Sequence, residues 1–233
     1  MKLLAVDTSG PVCGVAVMDG PRVASEYTAQ NKNTHSASLM PMVERCLESG
    51  GYTLGEMDAL AVVVGPGSFT GVRIGVATVK GLAHGSGKPV IPVDALEALA
   101  ASANRKNWPG VVCPLQDARA GQVYAAAFQE GQRLMADEAL KLEDFLERVR
   151  QMKPEGPWFF LGDGMTVHWE KIQAILGPGA EFAEGPFAFL RPAAAGSLAL
   201  EREPMDYRNL KEFYLRPPNA EKNKKLLEAM RSE

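Results

Sequence analysis

The chain has 233 residues, 46% of them hydrophobic, and a formal net charge of −3. That apolar content supplies one large core or two modest ones. Cys13, Cys46 and Cys113 lie far apart with no CxxC pair, which argues against a disulfide framework or a cysteine zinc site and fits a reducing cytoplasm. The negative balance leaves out the global positive field of a free-standing nucleic-acid binder, so any nucleic-acid contact would need help from elsewhere. No apolar stretch approaches the roughly 20 residues that cross a bilayer, and the run after Lys2 is cut by Asp7, too soon for a secretory signal.

In chain order, Lys2 to Val6 and Val12 to Met18 are short apolar runs around Asp7, Thr8, Ser9, Gly10 and Pro11, the spacing of a hairpin, and Arg22 to Thr28 supplies a third strand after the Asp19-Gly20 turn. From Thr34 to Ser49 the apolar positions Leu39, Met42, Val43, Cys46 and Leu47 follow helical periodicity until Gly50-Gly51, with Pro41 predicting either the helix start or a bend. Ala59 to Val64 is an unbroken apolar run, as in a strand buried on both faces. A helix to about His84, a strand at Pro89 to Val93 and a helix from Ala95 to Ala103 complete a mixed sheet with helices against it, an α/β pattern.

The polar stretch Asn104 to Pro109 predicts a domain boundary, giving one lobe at 1–104 and a second, smaller α/β lobe at 105–215. The second lobe is expected to hold strands at Val111 to Leu115, Val123 to Gln129 and Trp158 to Leu161. Its expected helices run from Leu142 to Met152, around Val167 to Leu176, and from Ala193 to Glu201, with a last short strand at Phe187 to Leu190. The tail, 216–233, has mixed-sign charge and reads as a solvated amphipathic helix rather than an RNA patch.

The stretch Gly65 to Gly75, GPGSFTGVRIG, follows a buried strand and opens a helix, a place where glycines allow a sharp turn and bare N–H groups meet an anion. Its spacing fits neither phosphate fingerprint, since Val72 and Arg73 follow Gly71 where a Walker loop needs Lys and Ser or Thr, and Thr70 stands where GxGxxG needs its third glycine. Tight-turn packing is therefore the first reading and phosphate contact the second, with Asp7, Thr8, Ser9, Gly67 and Ser68 as the candidate cofactor-binding residues. Asp7, Thr8 and Ser9 equally read as a turn capped by its own side chains. In the following helix Gly71, Gly75, Thr78 and Leu82 form a stripe, with Gly81 and Gly85 beside it. Each interior glycine costs about 1 kcal/mol relative to alanine, so the stripe predicts close approach, either of the chain's own preceding helix or of a second subunit. His35, His84 and His168 are the only histidines, and Leu39 stands one turn after His35, so no transition-metal site is expected. No GxSxG or HExxH occurs, which leaves a protease reading without a nucleophile and base. Asp117 and Arg119 read as an ion pair or turn near the lobe junction, ahead of a ligand contact.

Taken together, AVDTS, THSASLMP, GPGSFTGVRIG and DARAGQVYAA resemble the TsaB (YeaZ) family in that order and separation, most clearly over residues 1 to 130, while GPFAFLRPAAAGSLAL is similar to its closing segment. The resemblance implies a two-lobed actin-like ATPase fold of the ribonuclease H-like class. It implies a cytoplasmic, non-catalytic subunit needed for threonylcarbamoylation of the adenosine 3′ of the anticodon in tRNAs reading ANN codons, acting as scaffold and activator of the catalytic subunit TsaD together with the ATPase TsaE. The metal-binding histidine pair of TsaD is represented here by His35 and Leu39. The family pairs with TsaD through two helices of the first lobe, and alone forms homodimers by the same face. On this sequence that face would comprise Leu39, Met42, Val43, Cys46, Gly71, Gly75, Thr78 and Leu82. No cofactor is required of the chain itself, a nucleotide at the inter-subunit junction being the one cofactor considered, and tRNA contact would be indirect. The alternative is an independent nucleotide-binding ATPase or kinase of the actin-like class.

Overall fold

A computed structural model describes residues 1–30, 34–103 and 108–216. The first sheet is built from β1 (Lys2–Asp7), β2 (Cys13–Asp19), β3 (Arg22–Ala29), β4 (Ala59–Gly65) and β5 (Val90–Asp94), in the order β3-β2-β1-β4-β5. Its hairpins pair antiparallel, and β1–β4–β5 run parallel. Between them lie α1 (His35–Gly50), α2 (Phe69–Ser86) and, after β5, α3 (Ala95–Ser102). The second sheet repeats the plan: β6 (Val111–Asp117), β7 (Gln122–Gln129), β8 (Gln132–Lys141), β9 (Trp158–Leu161) and β10 (Ala180–Phe182) in the order β10-β9-β6-β7-β8, with β6–β7–β8 antiparallel and β6–β9–β10 parallel. The helices that follow α3 in sequence are α4 (Leu142–Met152) and α5 (Asp163–Leu176) beside this sheet, and α6 (Pro192–Ala199). Two copies of one ribonuclease H-like sheet order, each flanked by helices, make the actin-like α/β fold expected from the resemblance.

The apolar runs are continuous because the first sheet is covered on both faces. Successive side chains of a strand point to opposite faces. Leu4 and Val6 of β1 and Leu60, Val62 and Val64 of β4 accordingly face α1 and α2. Leu3 and Ala5, with Ala59, Ala61 and Val63, join the core that α3 and α6 share with the second sheet. Each such Leu or Val contributes about 1.5–3 kcal/mol on full burial. Although it comes last in sequence, α6 packs on β1 and β2 of the first sheet and on α3.

One expectation needs correction, and one strand was missed. The segment Phe187 to Leu190 is no strand: residues Gly185–Ala188 form a 3-10 turn with Pro186 in its first positions, and the closing strand is β10, which pairs with β9. Strand β8 was not foreseen, because an edge strand with only scattered buried positions shows little hydrophobic pattern. Helix α1 starts at His35 and runs through Pro41; Pro41 and Ala37, whose carbonyl it leaves without a helical donor, are both exposed. The boundary expected at 104 falls on residues 104–107, and the helical tail on 217–233, which lie outside the described residues.

Candidate functional site

The end of β1 is locked under the start of α2. Ser9 donates both its N–H and its Oγ–H to Asp7 Oδ1, at 2.9 and 2.7 Å. Thr8 Oγ1 donates to the Gly71 carbonyl at 2.7 Å. Ser68 caps α2 by accepting the Gly71 N–H at 3.2 Å, and its own N–H goes to the Ser9 carbonyl at 2.8 Å. The helix can come this close only because Gly71 and Gly75 lack side chains: a Cβ at Gly71 would lie 2.1 Å from Thr8 O, and one at Gly75 2.4 Å from Thr8 Oγ1. Burial pushes the Asp7 carboxyl up to about 6, against the Ser9 bonds and His35, which pull it down.

The second lobe presents the matching strand end across a cleft of about 480 Å³, lined from the first lobe by Ser9, Gly10, His35, Ser68 and Phe69 and from the second by Gln116, Asp117, Arg119, Tyr124 and Asp163. Asp117 Oδ1 accepts the Arg119 N–H at 3.0 Å and the two side chains pair at 3.3 Å, so the ion pair and turn expected of these residues are both present. Helix α5 is pressed on β6 through Gly162 and Gly164, whose Cβ atoms would lie 1.9 Å from Leu115 O and 2.9 Å from Gln116 C. That seating puts Asp163 in the cleft, where burial raises its carboxyl to about 6 against the backbone N–H of Asp117. Gln116 Oε1 is buried there without a hydrogen-bond partner among the described residues. The segment Phe213 to Arg216 runs along the same cleft. Sequence reading missed Gln116, Asp163 and this segment; Gly162-Asp163-Gly164 was the available signal, whereas the closing segment makes single contacts with no period to detect.

Of the candidate cofactor-binding residues, Asp7, Thr8, Ser9 and Ser68 are brought together: the Thr8 and Ser9 hydroxyls and the Ser9 and Ser68 N–H groups all donate within the chain, and a Cβ on Gly67 would lie 2.4 Å from the Ser9 carbonyl oxygen.

The expected partner face is redistributed by the structure. Leu39, Val43 and Cys46 are 1%, 3% and 0% exposed in the lobe's own core, and Gly71 and Gly75 face Thr8, so these five make no docking surface. Met42, Thr78 and Leu82 are half-buried at its border. The outward stripe of α2 is Arg73, Ala77, Gly81 and Gly85, also spaced by four, and a Cβ at Gly81 or Gly85 would meet nothing within 4 Å. Beside it α1 exposes Ala37, Glu44 and Met40, the last at 47%. The small-residue signal was real, but it lies on two faces of one helix: one glycine pair seats the helix on its own strand end and the other is open.

The family model described as TsaD, tRNA N6-adenosine threonylcarbamoyltransferase, matches residues 22–178. The tRNA threonylcarbamoyladenosine biosynthesis protein TsaB of Bacillus subtilis (strain 168) is 34% identical over 225 residues, 95% of this chain and 96% of that one. The TsaB protein of Escherichia coli (strain K12) is 37% identical over 169 residues, covering 70% and 72%. Among solved structures, YeaZ from Pseudomonas aeruginosa superposes with a TM-score of 0.72 at 29% identity, covering 92% of this chain and 99% of that one.

Proposed function

Because this chain belongs to the TsaB (YeaZ) family, we propose that it works in threonylcarbamoyladenosine formation on tRNA as a non-catalytic subunit. In this reading it docks on a TsaD-like catalytic subunit, and a TsaE-like ATPase joins the pair. Its contribution is a preformed surface, and the reacting groups belong to the partner. The observation that carries the reading is the outward face of α2, where Ala77, Gly81 and Gly85 leave room for another helix to approach closely, next to Met40 of α1. Two further features support it: Leu39, one turn from His35, is packed in the core, and the Thr8 and Ser9 hydroxyl donors of the first strand-end loop are engaged within the chain. A second copy of the chain would use the same face when the partner is missing.

The test places bulk on the open glycine rather than the buried one. Gly81→Trp and Ala77→Arg are expected to leave the melting temperature near wild type and to weaken association with a TsaD-like subunit by roughly 30-fold or more, as for the centre of an interface of about 1,600 Å². Modification assays with each subunit omitted complete the test. Wild-type binding and full modification by both variants would refute the docking face. Sustained ATP hydrolysis by the isolated chain would instead favour the independent actin-like ATPase.

A further inference from the structure

Residues 205–216 tie α2 to the opposite lobe. Met205 exchanges two backbone hydrogen bonds with Val90 at 2.8 Å, Tyr207 Oη meets His84 Nδ1 at 2.7 Å near the end of α2, and Leu210 is 1% exposed in the first-lobe core. Phe213 donates its N–H to the Val64 carbonyl at 2.7 Å, and its own carbonyl lies where a Cβ on Gly65 would be 2.2 Å away. Tyr214 then accepts from Arg73 Nε at 3.0 Å, with its ring 5.0 Å from that of Phe69 in the first turn of α2, and the Arg73 guanidinium covers Phe69 at 3.8 Å. The last anchor is on the other lobe: Arg216 Nη1 donates to the Ala118 carbonyl at 2.9 Å, in the turn between β6 and β7.

That turn depends on what holds it. Arg119 and Ala120 both have positive φ, 67° and 53°, a conformation that costs a non-glycine residue about 1–2 kcal/mol each. Its internal bonds are Ala118 N–H to Gln122 O, Gln122 N–H to Arg119 O and Arg119 N–H to Asp117 Oδ1, at 2.9, 3.1 and 3.0 Å, and Leu142 N–H reaches Gly121 O from outside at 3.3 Å. An external donor on the Ala118 carbonyl therefore acts on a turn with a ready way to relax. We propose that residues 205–216 form a mechanical strap through which a change at the flank of α2, sensed at Arg73 and Tyr214, is carried to the β6–β7 turn that lines the inter-lobe cleft. The strap is continuous, each link is a direct contact, and the inference concerns the chain alone, so it stands whether or not α2 docks a partner.

Hydrogen exchange of the full chain, read by mass spectrometry over residues 117–124, tests the link. Arg216→Ala removes the last contact and is expected to speed exchange there about fivefold. Arg73→Ala and the conservative Tyr214→Phe touch nothing in that turn, yet each is expected to speed it measurably. The double variant Arg73→Ala, Arg216→Ala should be no faster than Arg216→Ala alone, because both act through one strap. Arg148→Ala, which removes the exposed pair with Glu138 on the same lobe, should leave the turn at its wild-type rate. Unchanged turn exchange in Arg73→Ala and Tyr214→Phe, additivity in the double variant, or equal acceleration by Arg148→Ala would each overturn the proposal.

Discussion

Asp7 and Asp117 occupy the same place in two sheets of the same strand order, at the end of the strand that leads each lobe, and each accepts the backbone N–H two residues on, at 2.9 and 3.0 Å. The surroundings differ. Around Asp7 the turn is sealed by α2, Thr8 and Ser9 are fully buried, and the carboxyl is held up near 6 by desolvation. Around Asp117 the turn opens to water, Arg119 is 90% exposed at its side chain, and two non-glycine residues stand at positive φ. One scaffold thus carries a welded strand end in the first lobe and a sprung one in the second. The weld fixes the helix pair whose outer face is proposed for docking, while the sprung turn is left to respond to whatever holds it.

The contrast can be broken most forcefully at the glycines. Gly71→Val puts a side chain into the Thr8 carbonyl, and Gly162→Val forces one against Leu115 O at φ 101°; each is expected to cost about 3 kcal/mol or more by denaturant titration, or to prevent folding. Next is pH. The Asp7 carboxyl binds its proton more tightly folded, at about 6, than unfolded, near 3.8, so its contribution to stability is present at low pH and lost as pH rises from about 4 through 6. Asp7→Asn should flatten that fall, removing up to about 3 kcal/mol of pH dependence as followed by denaturation midpoints from pH 4 to 7. Thr8→Val keeps the shape but removes the donor to the Gly71 carbonyl and should cost about 1–2 kcal/mol. On the open face of the same helix the sign reverses: Gly81→Ala is expected to stabilise by about 1 kcal/mol. Smallest of all, Arg119→Ala removes an exposed pair and should change stability by less than about 0.5 kcal/mol, checked in the same titration.

Much of the architecture was legible beforehand. The unbroken run of β4, the periodicity of Val72, Val76, Val79 and Ala83, and the amphipathic pattern of α4 each state a local burial requirement, and the elements formed where those patterns lie. Edge strand β8 and the 3-10 turn at Gly185–Ala188 escaped because neither requires a regular apolar period. The docking residues went astray for another reason. Leu39, Val43 and Cys46 have the character of contact residues, and character does not reveal whether the contact is with another chain or with β2 and β3.

By itself, then, the sequence determined the α/β class and the presence of helices dense in small residues, because those follow from composition and spacing along the chain, while its motifs carried the family resemblance. Only the tertiary structure decided which glycines are closed by Thr8 and which are open, that Asp163 and Gln116 meet the first lobe's turn, and that Arg216 reaches Ala118. Those facts depend on the distance between segments remote in sequence, and a helix with small residues on two faces has no local preference for which face turns inward. The sheet beneath it, through the length of β1 and the buried hydroxyl of Thr8, makes that choice.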